Sequence, residues 1–280
     1  MVLWGDSDKG DDITAWAHSE VVADNIAAGT YTVRMTRLGI RNGQSCRVIA
    51  CQKYYPLDML LQDSYLSYIN SGIYDYDVYG VRFGYYSVAK NKDSAACMGS
   101  SGTSKGGFVV FANGSTRATV SVAWRGTILS DHPSVSYGQP DDAPDTSKIN
   151  EFAFTNGVFT LNGTTVNSSL GTGVAVGNAG LGIRIGTSQA NMGSSAMYGW
   201  WSLVSFDDAD GNRILDYIPV KRAVDDAVGF WDRVTKRFVT SFGSGGFTAG
   251  SVKDEPPVLF TTAAGTFRVS TIPGIMIIVK

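Results

Sequence analysis

The stretch DAVGFWDRVTKRFVTSFGSGGFTAG (residues 226–250) alternates apolar and polar side chains around a turn, and it contains no His, Cys or Glu. Val228 and Phe230 fall on one side of an extended chain, Asp232 opens the turn Arg233-Val234-Thr235-Lys236, and Phe238 returns to the first side. This predicts a β-hairpin, with the glycines of GSGGF supplying the backbone freedom for a return into a sheet. As a phosphate cradle, GSGGF lacks the Lys-Ser/Thr pair and the following helix that such a loop needs. The stretch reads as architecture.

The same grammar extends upstream. YGVRFGYYSVA, GGFVVFANGSTRATVSVAW, NEFAFTNGVFTLNGTTV, GLGIRIGTS and GWWSLVSFDDADGNRILDYIPV are apolar strand candidates. Asn113-Gly114, Asn156-Gly157, Asn162-Gly163 and Asp210-Gly211 punctuate them, and such dipeptides are strong hairpin signals. With no helices alternating between the strands, the expectation is a mainly β fold, an antiparallel sandwich of two sheets. LSDHPSVSYGQPDDAPDTSKI, with three prolines, is the expected long loop.

Upstream of residue 57 the pattern changes. Asp11–Gly29 is the best helix candidate, with an Asp cap, Ile13, Trp16, Ala17 and Val21 near helical spacing, and a terminal Gly. Residues 30–55 read as a hairpin turning at Arg41-Asn42-Gly43-Gln44. After Pro256-Pro257, two further apolar strands are expected, buried against the sandwich or another chain. The organisation expected is therefore residues 1–56 as an N-terminal extension, 57–250 as the sandwich, and 251–280 as a β-rich C-terminal extension.

Composition excludes several functions. Across 280 residues, 44% are hydrophobic and 17% charged, a globular balance. A net charge of −2, with dispersed Lys and Arg, gives no basis for binding nucleic acid or an anionic membrane. The apolar run IPGIMIIVK is too short to span a bilayer. MVLWGDSDKGDDITAW has no basic or apolar leader region, so synthesis without a secretory signal is expected. Cys46, Cys51 and Cys97 lack a fourth soft ligand, and His18 and His132 stand apart, so the cysteines read as packed thiols.

Residues 57–250 resemble the concanavalin A-like, laminin-G-like sandwich modules of gut bacteriophage and bacterial surface proteins. Those modules open with a Pro-Leu…Tyr-Ile segment, here Pro56-Leu57 followed by QDSYLSYINSGI. They close with a stretch that reads here DYIPVKRAVDDAVGFWDRVTKRF and then GSGGFTAG. Ala227 and Lys236 stand where that pattern has Gly, and Trp231 where it has Tyr, so Lys236 implies an altered turn or a non-glycine residue at positive φ. The resemblance implies a jelly-roll sandwich that binds carbohydrate or serves as a spacer. Its laminarinase-type members cleave sugars with two glutamates bracketing an aspartate on one strand. Only Glu20, Glu151 and Glu255 occur here, and none has a carboxylate two residues on.

The expected function is thus non-catalytic: a recognition or structural component of a bacteriophage virion, such as a fibre, tail-associated or capsid-decorating protein. Residues 1–56 and 251–280 would self-associate or dock on other virion proteins. A glycan-binding protein of a bacterial surface is the alternative, and a cryptic glycoside hydrolase the third. Aromatic faces suited to a cell-surface glycan are Trp200, Trp201, Tyr198, Trp231 and Tyr137, with Trp124 nearby. Trp200 and Trp201 are adjacent, so a strand puts them on opposite faces and at most one enters the core. No cofactor is expected. The one candidate for Ca²⁺ is Asp141, Asp142 and Asp145, against a solvated loop. Asp207, Asp208 and Asp210 fit a turn better than a site, and Arg222 is expected to pair with a nearby Asp.

Overall fold

The computed structural model describes residues 2–6, 20–23, 31–34, 45–64, 66–90, 96–100, 107–112, 120–125, 127–131, 149–168, 171–188, 197–268 and 276–279. The first strands are β1 (Val2–Asp6), β2 (Glu20–Ala23), β3 (Tyr31–Arg34) and β4 (Ser45–Pro56). Next come β5 (Leu60–Gln62), β6 (Ile69–Tyr74), β7 (Gly80–Lys90), β8 (Ala96–Gly99), β9 (Val109–Ala112), β10 (Val120–Trp124) and β11 (Thr127–Asp131). These lead to β12 (Asn150–Thr155), β13 (Val158–Leu161), β14 (Thr164–Asn167), β15 (Gly182–Ile185), β16 (Met197–Asp207) and β17 (Arg213–Arg222). The last are β18 (Val228–Asp232), β19 (Arg237–Val239), β20 (Phe247–Ala249), β21 (Val258–Arg268) and β22 (Met276–Val279). There is no helix among the described residues. The chain divides into two compact units, residues 56–221 with 228–254, and residues 1–55 with 222–227 and 255–280.

The larger unit is a β-sandwich. One antiparallel sheet runs β14-β13-β12-β7-β16-β17, continued by β18 and β19; the other runs β11-β10-β9-β8-β15-β6. Strand β16 is shared along its second edge. Val204–Asp207 pair with β17, whereas Trp200 and Trp201 pair with Leu61 and Leu60 of β5. The outer edge of β5 is in turn taken by β20. Alternation does the rest: Phe152, Phe154, Phe159, Leu161, Ile183 and Ile185 point inward while their neighbours face out.

Aromatic side chains from both sheets fill the space between them. Phe83 stacks on Phe152 at 4.8 Å and Phe154 on Phe159 at 4.4 Å. Trp124 lies 5.2 Å from Phe154, and Phe108 meets both edge-on. Each such ring buries ~150–250 Å², and offset and edge contacts add ~0.5–1.5 kcal/mol per pair. Gln62 is the polar exception. Its buried amide donates to the Gly186 carbonyl at 2.7 Å and accepts from Trp201 Nε1 at 3.2 Å, tying the large sheet to the end of β15.

The turns follow local chemistry. Asn156 and Gly157 have φ of 49° and 78°, and Asn162 and Gly163 have 51° and 75°, so the β12–β13 and β13–β14 links are two-residue turns with both central residues at positive φ. Between β18 and β19, Lys236 adopts φ 57° and keeps the usual turn with a non-glycine residue. The Asp232 carboxylate organises that turn by accepting from the Val234 amide at 3.0 Å, the Thr235 hydroxyl at 2.6 Å and the Asp216 amide at 3.2 Å. Asn113-Gly114 lies outside the described residues.

In the smaller unit two expectations are corrected. Within the helix expected over Asp11–Gly29, residues 20–23 form β2, which pairs with β1 through Ala23↔Val2 and Val21↔Leu3; the rest lies outside the described residues. The adjacent β-branched Val21 and Val22 favour a strand once a partner is present. The hairpin expected over residues 30–55 is not formed either: β3 pairs with β22, Tyr31↔Val279 through Arg34↔Met276. The reason is occupancy. Over residues 46–50, β4 has β1 on one edge and β21 on the other, and a strand has only two edges. The turn at Arg41–Gln44 lies outside the described residues. Arg222 pairs with Asp225 through two bonds of 2.8 and 2.5 Å, as its position suggested.

Candidate functional site

Of the aromatic residues proposed from the sequence as a platform, the tryptophans are buried. Trp201 is 1% exposed in the inter-sheet core, tilted on Tyr85 at 4.5 Å with its indole N–H held by Gln62. Trp200 does take the opposite face of β16, but a second apolar cluster of Met59, Tyr86 and Val88 covers it to 5% exposure. Trp231 and Trp124 are also buried. As they lie, none of the four offers a face to a ligand. Tyr198 occupies a position on β16, while Tyr137 and the candidate Ca²⁺ ligands Asp141, Asp142 and Asp145 lie outside the described residues.

Asp207, Asp208 and Asp210 close the β16–β17 hairpin. Asp208 accepts from the amides of Asp210 and Asn212 and from the Asn212 side chain, which holds its carboxyl below the usual range. Asp207 is paired with Arg213. Glu151 is bound bidentately by Arg82, both bonds 2.9 Å. Cys97 is buried in the core with its thiol free, and burial pushes its pKa far up, so it is a poor nucleophile or ligand.

What the structure does expose is a different aromatic set, on the outer face of the smaller sheet. Tyr74 and Tyr76 are 46% and 49% exposed, and their rings stack nearly parallel, 5.4 Å apart. Between them Asp75 is fully buried. Its carboxylate accepts from the Ser100 hydroxyl at 2.8 Å and the Gly180 amide at 3.1 Å, and its own amide donates to Leu181. Gly177 packs so closely that an added Cβ would stand 2.5 Å from that carboxylate. The two exposed rings are therefore presented by a pinned turn, which lowers the ordering entropy of any contact they make.

From this ledge the face continues along β6 and β15. Gly182 stands opposite Tyr74 and Arg184 opposite Asn70, while Ile183 and Ile185 between and beyond them enter the core. The Arg184 guanidinium lies over the Tyr68 ring at 5.4 Å, and Tyr68 is tilted against Phe242, which is 70% exposed. Gly72 and Gly182 leave the ground between the two aromatic ends low: nothing lies within 4 Å of a Cβ at Gly72. Asn70 and Tyr74 are at most ~13 Å apart along an extended strand. The result is a shallow strip with rings at each end, Asn70 and Arg184 as planar polar groups, and a glycine floor, a combination suited to flat polyhydroxylated ligands.

The sequence reading missed this strip because it favoured tryptophan. The available signal was Tyr74-Asp75-Tyr76, with an acid between two aromatics at a turn. No family model matches the chain, and no curated protein and no solved structure matches it either.

Proposed function

We propose that this chain is a non-catalytic recognition module, a concanavalin A-like jelly roll carried on a bacteriophage virion as a fibre, tail-associated or capsid-decorating protein. It holds a cell-surface glycan on the outer face of the smaller sheet, and residues 1–56 and 251–280 dock on other virion proteins or on a second copy. The observation that carries this reading is the Tyr74–Tyr76 ledge: two half-exposed, stacked rings held in place by a buried carboxylate. Sugar rings stack on such faces through their C–H surfaces while hydroxyls reach neighbouring amides and guanidinium groups. The sandwich and its closing motif support the jelly-roll assignment, and the glutamate-poor sequence supports recognition without cleavage.

The test is a screen of the full chain on immobilised bacterial polysaccharides, repeated with a Tyr74→Ala/Tyr76→Ala double variant of unchanged melting temperature. Loss of ~10-fold or more in affinity is expected, since each ring contributes on the order of 1 kcal/mol. Binding indifferent to both changes would rule out the ledge. Mass spectrometry of purified particles addresses the virion assignment; absence of the chain from them would refute it.

A further inference from the structure

Tyr74 stands at one end of a row. Ser67, Ile69 and Asp75 are buried, whereas Asn70, Gly72 and Tyr74 are exposed and Tyr68 partly so. Alternation of this kind turns Tyr68, Asn70, Gly72 and Tyr74 to the same outer side, and Tyr76 stacks on the end of the row. Tyr68 and Tyr74 are separated by at most ~20 Å of extended strand, longer than a single sugar ring.

The far end is built as firmly as the Tyr74 ledge. The Phe242 amide donates to the Tyr68 carbonyl at 2.7 Å, and the Gly245 amide to the Leu66 carbonyl at 3.2 Å. Gly243 passes so close that a Cβ there would collide with the Leu66 carbonyl oxygen. Tyr68, with the Arg184 guanidinium against its ring, buttresses Phe242, which is left 70% exposed. Two restrained aromatic stations therefore face solvent, with the low ground of Gly72 between them. The exposures of Tyr76 at one end and of Phe242 and Leu66 at the other leave both ends open. Sites for small molecules enclose most of the ligand surface, and an open strip cannot do that. It can hold a polymer that enters at one end and leaves at the other.

We infer that the strip takes an internal stretch of an extended, β-1,4-linked glycan chain, with Phe242 as a second stacking station that short sugars do not reach together with Tyr74. The inference rests on the glycan-binding reading and specifies its substrate class. Equatorial β-1,4 linkages give a ribbon whose flat C–H faces recur along a line, as the stations do; α-1,4 linkages curl the chain away from one of them. Once one station is engaged, the second contact is intramolecular, so affinity grows with chain length.

The full chain is titrated with glucose, cellobiose, cellohexaose and maltohexaose, as wild type, Phe242→Ala, Phe242→Tyr and the Tyr74→Ala/Tyr76→Ala variant. Cellohexaose is expected to bind ~10-fold or more tighter than cellobiose and tighter than maltohexaose, which has the same sugar in the same number. Phe242→Ala should lose ~3- to 10-fold on cellohexaose, the worth of one ring contact, and Phe242→Tyr should restore it. Because Phe242 is largely exposed, both variants should keep the wild-type melting temperature.

Cellohexaose binding that is indifferent to Phe242→Ala would overturn the inference, as would cellobiose binding as tightly as cellohexaose. Equal or tighter binding of maltohexaose would overturn the linkage. Silence on cellohexaose would also remove this inference, while a hit on another polymer in the polysaccharide screen, lost in the tyrosine variant, would keep the glycan-binding reading. No hit in either experiment would remove both.

Discussion

Replacing Gln62 with methionine tests how the two sheets are tied together. The two side chains have nearly the same length, so the change opens no cavity and isolates the hydrogen bonds. Gln62 is fully buried, donates to the Gly186 carbonyl at 2.7 Å and accepts from Trp201 Nε1 at 3.2 Å. Methionine leaves that carbonyl and that indole N–H buried, and each orphaned group costs ~1–3 kcal/mol. The burial of an apolar thioether in place of an amide returns part of this. The expected net loss is about 2–5 kcal/mol, a large share of the ~5–15 kcal/mol typical of a domain. At roughly 2–4 °C per kcal/mol, the melting temperature falls by about 5–20 °C. Urea titration followed by tryptophan fluorescence gives the free energy, and Trp201 itself is a local probe. A change below about 0.5 kcal/mol with an unaltered m-value would mean that this bridge does not hold the sandwich together, and the argument from buried polar satisfaction would fall.

Four further outcomes follow from the same geometry. Trp200→Ala and Trp201→Ala should each destabilise by ~3–5 kcal/mol in denaturant titrations, because both rings fill packed clusters; a stable variant with altered ligand binding would restore them as site residues. Gly177→Ala should disturb the Asp75 clamp and cost ~1–3 kcal/mol in a urea titration, weakening any ligand held by Tyr74 and Tyr76 in the polysaccharide screen. In a Cys46→Ser/Cys51→Ser background, the Cys97 thiol should react with a disulfide reagent only at the rate of unfolding, and fast labelling of the folded protein would contradict its burial. The Arg222 guanidinium holds the Asp225 carboxyl below its usual range, first by hydrogen bonding. Its stabilisation is therefore present above the unfolded value of about 3.9 and is lost as pH falls through the depressed folded value. Because the pair is largely exposed, Asp225→Asn should cost less than ~1 kcal/mol at pH 7, with the difference from wild type vanishing in strong acid.

Much of the sandwich was legible because its signals are local. Asn156-Gly157 and Asn162-Gly163 dictate their turns, and Asp232 announces the one that follows it. The adjacency of Trp200 and Trp201 correctly put them on opposite faces, yet nothing local revealed that Met59, Tyr86 and Val88 would cover the outer one. Strand pairing in the smaller unit was illegible for a related reason. The Asn-Gly signal at residues 42–43 spoke for a hairpin, while the competitors for those edges, β1, β21 and β22, lie far away in sequence. The exposed strip depends on a register between β6 and β15 and on a clamp joining Asp75 to Ser100 and Gly180. Neither is encoded within one segment.

The placement of β5 carries a consequence for biosynthesis. Its two edges are filled by residues 200–201 and 247–249, so a segment made early waits for two that are made late. A nascent chain halted before residue 247 would display an open, apolar ribbon of Leu60 and Leu61, the kind of template that recruits neighbouring polypeptides. Premature termination before that point should accordingly yield insoluble fragments instead of smaller working modules, and completion of the sheet waits until translation has passed Ala249.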